Sequence, residues 1–99
     1  MADKLSAEDR VSALPVLQMA GWGMVEGRDA ITKTYRFKNF IEAWRWMSAS
    51  ALWAEKMDHH PEWTNNYGEV VVILTTYSAK GLTELDLTLA RRMDQLARG

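Results

Sequence analysis

Ninety-nine residues, 47% hydrophobic and 25% charged, describe one globular domain over residues 1–99, too short to close two independent cores. A formal net charge of -1 leaves no electrostatic footprint for nucleic acid or an anionic membrane. The absence of cysteine excludes disulfides, thiolate metal sites and cysteine nucleophiles.

The opening "MADKLSAEDR" is charged and lacks the apolar run of a signal peptide, and no segment approaches the roughly 18 apolar residues of a membrane span. A soluble chain in a reducing compartment, the cytoplasm, is expected. Ser6 caps the first helix, with Asp9 three residues on in place of the usual capping-box Glu. Val11, Leu14 and Leu17 form its apolar stripe, and Pro15 is expected to disturb the ladder. Gly21 and Gly23 end this helix around Trp22.

A strand over residues 22–26 then meets the turn-rich Gly27-Arg28-Asp29. A second strand, 30–37, places Ile31, Lys33, Tyr35 and Phe37 on one face, with Lys33 spoiling the alternation as at a sheet edge. The basic residues between Arg28 and Lys38 alternate with Thr, Tyr and Phe, the pattern of a strand's wet face rather than of a phosphate-tracking surface.

Asn39 opens the longest helix, with Glu42 as its box partner. Over residues 40–57 it carries two apolar stripes. Phe40, Trp44, Met47, Ala51 and Ala54 read as the core face; Trp46, Ala49, Trp53 and Met57 form a second, beside Ser50. One stripe suffices for a helix on the outside of a small domain, so the second is expected to meet another subunit. Residues 62–65 form a strand, Asn66-Tyr67-Gly68 a turn, and 69–76, "EVVVILTT", a strand dense in β-branched residues. After Gly81, Thr83 caps a last helix with Asp86 at the third position, and Leu82 with Leu87 forms a hydrophobic staple. Leu89, Ala90, Met93, Leu96 and Ala97 supply its buried face. The order α-β-β-α-β-β-α, with no βαβ unit, predicts an α+β fold: an antiparallel sheet with helices on one face.

The chain's only histidines stand together in "MDHHPEW". Pro61 pushes His60 into extended backbone, so the long helix ends at about Asp58 or His59 and both imidazoles sit at its C-terminus. Carbonyls there favour a cation, as do the nearby carboxylates of Asp58 and Glu62, and a partly protonated histidine suits a general acid. Hydrogen bonding to a helix end or solvent is the competing role. A zinc site lacks its third histidine and any cysteine, and no Ser-His-Asp spacing is present. Trp63, two residues past the corner, either walls a flat aromatic ligand or packs on the core.

The stretch "AEKMDHHPEW" at 54–63, Tyr67, "VVVILTT" and "AKGLTELDLTLARRMDQLA" resemble the pterin-4a-carbinolamine dehydratases. "LSAEDR", "GW", "EGRDAITKTYRF" and "AWRWM" extend the resemblance over nearly the whole chain. It implies a four-stranded antiparallel sheet with three helices. It also implies loss of water from a 4a-hydroxytetrahydropterin to give quinonoid dihydropterin, with neither metal nor bound cofactor. The implied site comprises His59, His60 and Pro61, neighbouring Trp63, and Thr76, Tyr77, Ser78 and Ala79 at the end of the last strand. His59 takes the role of acid and His60 that of substrate binder. The family's third histidine is here Tyr77, a poorer acid with a reference pKa of about 10, so activity weakened or biased towards one 4a stereoisomer is expected. The implied partners are the pterin and other copies of the chain. Dimers would form through the sheet edge and tetramers through the long helix, here Trp46, Ala49 and Trp53. Animal members add a homeodomain transcription factor, and with it a nuclear location. A protein-binding role without catalysis is the alternative function.

Overall fold

The computed structural model describes residues 2–99. The elements follow in the expected order: α1 (Ala7–Met19), β1 (Gly23–Met24), β2 (Ile31–Arg36), α2 (Phe40–Met57), β3 (Glu62–Asn66), β4 (Glu69–Leu74) and α3 (Glu84–Arg98), with a 3-10 turn at Tyr77–Ala79. The strands form one antiparallel sheet in the order β1-β2-β4-β3. Val70, Val72 and Leu74 are fully buried while the alternate residues of β4 are half-buried, so one sheet face carries the helices and the other does not. Ile31 and Tyr35 share the buried face with Trp46, Met47, Leu87 and Met93. No helix among the described residues is long and apolar enough to cross a membrane.

The helix starts follow local chemistry. Ser6 accepts from the Asp9 amide and Asn39 from the Glu42 amide, while Thr83 and Asp86 form a complete capping box. α1 runs on through Pro15 instead of stopping there. The proline leaves the Val11 carbonyl without its helical donor, but Val11 is exposed, and water can satisfy the freed group. Val11 accordingly leaves the core stripe, in which only Leu17 is fully buried.

Two expectations about side-chain faces are corrected. β1 pairs only with Ile31 and Thr32, so Lys33 lies just past that pairing with β4 alone beside it, and its ammonium lies 2.7 Å from Asp94 Oδ1 and 2.6 Å from the Ala20 carbonyl. Asp94 also accepts from the Trp22 indole and the Tyr35 hydroxyl. A buried carboxylate with three partners replaces the apolar contact that the alternation suggested.

The second correction divides the apolar residues of α2 differently. Trp46, expected at a subunit interface, is 4% exposed, and its indole donates to the Met93 carbonyl at 2.9 Å. Trp53 is half-buried beneath Arg92 and Lys56, whose cationic groups lie 4.2 and 4.8 Å from its ring centroid. Ala49 is half-buried, and Ser50 is buried on the α2 face that packs towards α3. Of the stripe assigned to the core, Phe40, Trp44 and Ala51 are exposed; Met47 and Ala54 are buried. The solvent-facing apolar stripe therefore runs through Phe40, Ile41, Trp44 and Leu52.

Candidate active site

One end of the sheet gathers the β1–β2 turn, the α2–β3 corner and the β4–α3 connection, because β1, β4 and α2 finish there and β2, β3 and α3 begin there. Gly81 permits this convergence. A Cβ at Gly81 would lie 2.1 Å from Asp29 Oδ2, an oxygen that accepts from the Leu82 amide and from Arg10. The Arg10 guanidinium holds the Asp29 carboxyl below the usual carboxylate range. Asp29 thereby ties α1 and the β1–β2 turn to the start of α3.

The α2–β3 corner fixes His59. Asp58 adopts the left-handed conformation with φ 51°. Its amide reaches the Glu55 carbonyl at 3.1 Å, and the His59 amide reaches the Ala54 carbonyl at 2.9 Å. These are the two bonds of a Schellman cap, with aspartate at a position usually held by glycine. The chain turns here, Pro61 follows, and the imidazoles diverge.

His59 points inward and is 7% exposed. Its Nε2 lies 2.6 Å from Asp86 Oδ1. Asp86 Oδ2 accepts from the Thr76 hydroxyl at 2.8 Å and from the Thr83 amide at 2.9 Å, and the two threonine hydroxyls are 2.8 Å apart. Asp86 is fully buried. The carboxylate completing the α3 cap is thus also the one that orients His59. Sequence reading placed Asp86 in the capping box but missed this second task, since nothing local brings a residue 27 positions away to the imidazole.

His60 points outward, 2.8 Å from Glu55 Oε1. Neither Asp58 nor Glu62, the carboxylates expected beside the histidines, is the acid they meet.

Tyr77 is exposed, and its hydroxyl donates to Glu62 Oε2 at 2.6 Å. Arg28 grips the same carboxylate with both terminal nitrogens, at 3.1 and 2.7 Å. Hydrogen bonds from Arg28 and then Tyr77 hold the Glu62 carboxyl down at about 2, while the carboxylate raises the Tyr77 phenol. Glu62 pairs in register with Ile73, on the face opposite the buried Val72 and Leu74, so this trio belongs to the helix-free side of the sheet. His59 belongs to the helix side.

An open groove of about 290 Å³ lies along Arg28, Asp29, Thr75, Thr76, Tyr77, Lys80 and Gly81. Thr76 is shared by the groove and the buried His59–Asp86 cluster. Ser78 is exposed and Ala79 half-buried in the 3-10 turn; Pro61 is half-buried. Trp63 packs on the core, with its ring centroid 6.2 Å from that of Trp46.

Comparison with known proteins gives one family. Residues 3–96 match the profile described as pterin 4 alpha carbinolamine dehydratase. A Ruegeria pomeroyi protein assigned as pterin-4-alpha-carbinolamine dehydratase is 55% identical over 96 residues, covering 97% of this chain and 99% of its own. A Dinoroseobacter shibae protein of the same assignment is 57% identical, covering 98% and 100%. The crystal structure of a transcriptional coactivator/pterin dehydratase from Brucella melitensis superposes with a TM-score of 0.89 at 46% identity, covering 96% of this chain and 99% of that one. A pterin dehydratase-like RuBisCO assembly factor, 22% identical with a TM-score of 0.68, shares the fold over 78% of this chain and 89% of its own.

Proposed function

This chain belongs to the pterin-4a-carbinolamine dehydratase family, and from that premise we propose that it converts 4a-hydroxytetrahydropterin to quinonoid dihydropterin and water, with His59 as the general acid. Membership brings the hydro-lyase class of reaction. The buried His59–Asp86 pair, at 2.6 Å, is the observation that supports the assignment of residues. Asp86 accepts a hydrogen bond from Nε2–H and fixes the ring, leaving Nδ1 for proton exchange. The imidazolium gives its Nδ1 proton to the departing hydroxyl as the C4a–O bond breaks. The lone pair of the adjacent ring nitrogen forms the new double bond, and the proton lost from the pterin restores the imidazolium.

His60, outward-facing and anchored only to the exposed Glu55, is suited to holding substrate beside Pro61. Thr76, Tyr77, Ser78 and Ala79 form the opposite wall in this reading, and Trp63 supports it from the core side. The phenol of Tyr77 has committed its proton to Glu62 and does not replace a third histidine as acid. Reduced turnover of one 4a stereoisomer follows.

A second reading, protein binding, is favoured by the exposed apolar stripe of Phe40, Ile41, Trp44 and Leu52. It accommodates self-association through α2 or a transcription factor partner, the role suggested by the coactivator name of the Brucella melitensis relative. The readings are separated by adding enzymically generated 4a-hydroxytetrahydropterin and following loss of its ultraviolet band. The dehydratase reading expects rapid loss with the wild-type protein and near-background loss with His59→Ala. Equal rates would favour binding.

A further inference from the structure

The β4–α3 connection is closed at its base. Thr76 and Gly81 pair through both backbone amides, at 3.1 and 3.2 Å, so residues 77–80 form a loop standing on two limbs. Asp29 holds a residue on each limb. Its carbonyl accepts from the Thr75 hydroxyl at 2.8 Å, and its carboxylate accepts from the Leu82 amide at 3.1 Å. The next residue on each limb, Thr76 and Thr83, donates to Asp86 Oδ2, while Asp86 Oδ1 meets His59. Asp29 therefore stands one residue behind both groups that aim this carboxylate at the imidazole.

Asp29 is itself held from α1. Arg10 grips its two oxygens at 2.7 and 2.8 Å and donates through Nε to the Leu5 carbonyl. The Leu5 amide in turn donates to the Leu82 carbonyl at 2.8 Å, so Leu82 is fixed on both sides. The Arg10–Asp29 pair is partly exposed, and its attraction alone contributes little to stability. What a two-pronged fork supplies is a single geometry. Asp29 borders the groove, but Arg10 is not part of its wall.

On the dehydratase reading of this site, we infer that Arg10 and Asp29 are positioning residues for the reaction. They act on His59 through the two limbs of the β4–α3 connection and Asp86. The first helix thereby influences chemistry that it does not touch.

Wild type, Asp29→Asn, Arg10→Gln and Arg10→Lys are to be compared in steady-state kinetics on 4a-hydroxytetrahydropterin, at a temperature where circular dichroism shows all four folded. Asparagine keeps the size of Asp29, but whichever way its amide is turned, the NH2 group faces an Arg10 donor. In Asp29→Asn kcat should fall about 10-fold, within the roughly 100-fold that a misplacement of about 1 Å can bring, and KM should stay at the wild-type value. Arg10→Gln should act in the same way, with Arg10→Lys retaining more of the wild-type kcat. Arg10→Gln combined with Asp86→Asn should be no worse than Asp86→Asn alone, since Arg10 acts through a carboxylate already replaced. Proton NMR supplies a readout independent of turnover. The His59 Nε2–H resonance, assigned by its loss in His59→Ala, should shift or broaden in Asp29→Asn and Arg10→Gln. A raised KM at constant kcat would make Asp29 a substrate contact and overturn the inference. Wild-type kcat in the folded variants, an unmoved resonance, or additive losses in the Arg10–Asp86 double variant would overturn it too. Failure of the underlying reading looks different: the wild-type protein itself would not turn over the pterin, and a resonance that still moved would reduce the Arg10–Asp29 pair to a clamp on His59 with no part in that reaction.

Discussion

His59 Nε2 and Asp86 Oδ1 lie 2.6 Å apart, and that contact joins the end of one helix to the start of another. His59 follows the left-handed cap of α2, and Asp86 is the third residue of α3, where it also closes the Thr83 capping box. The orientation of the imidazole and the capping of α3 therefore depend on one carboxylate.

Substitution of Asp86 should separate these tasks. Asp86→Asn keeps the shape but places an amide where the imidazole and the Thr83 amide both need an acceptor. We expect kcat to fall about 10- to 100-fold, the scale seen when an orienting partner is lost. Asp86→Ala leaves buried partners unsatisfied and should also cost about 2–4 kcal/mol of stability in denaturant titration. Full activity in Asp86→Asn would remove it from the mechanism.

The two histidines should fail differently. His59→Ala is expected to act on kcat, and His60→Ala mainly on KM, because the first is buried against Asp86 and the second is solvent-facing beside Glu55. Stopped-flow rates with saturating and limiting pterin would distinguish them. Interchanged effects would reverse the proposed roles.

Tyr77→His restores a side chain with an exchangeable ring proton. It should speed turnover of the poorer 4a stereoisomer, measured by resolving the two isomers during reaction. An unchanged isomer ratio would mean that residue 77 does not limit the second face.

The Glu62 carboxyl, normally near 4.5, is held at about 2 by Arg28 and Tyr77. A depressed folded-state value stabilises the protein fully above pH 4.5 and loses that contribution as pH falls towards 2. The difference in melting temperature between wild type and Glu62→Gln should be constant above pH 4.5 and shrink below it. The difference should be small, because the pair is partly exposed. A gap that widens on acidification would contradict the ion-pair assignment.

Trp46 and Trp44, two residues apart, should behave as opposites. Trp46→Ala removes a core indole hydrogen-bonded to Met93 and should cost about 3–5 kcal/mol. Trp44→Ala should leave unfolding within about 0.5 kcal/mol at protein concentrations where the chain is monomeric. If α2 self-associates, it should lower the mass measured by light scattering. A Trp44→Ala protein with wild-type mass would move the interface elsewhere.

What the sequence determined is local. Ser6, Asn39 and Thr83 start helices because their side-chain oxygens reach amides two or three residues ahead. His-His-Pro marks a corner because proline restricts the residue before it. The β-branched run "VVVIL" makes the central strand, and the family motif named the candidate corner residues. Tertiary structure decided the partners. Two apolar stripes on one helix are equivalent until a second helix covers one of them, so periodicity alone could not choose Trp46 over Trp44. Likewise, both imidazoles had carboxylates nearby in sequence, yet His59 met Asp86, His60 met Glu55, and Glu62 turned to Arg28 and Tyr77 on the other side of the sheet. Strand pleat and the convergence of three chain segments set those pairings, and neither is encoded in the spacing around the histidines.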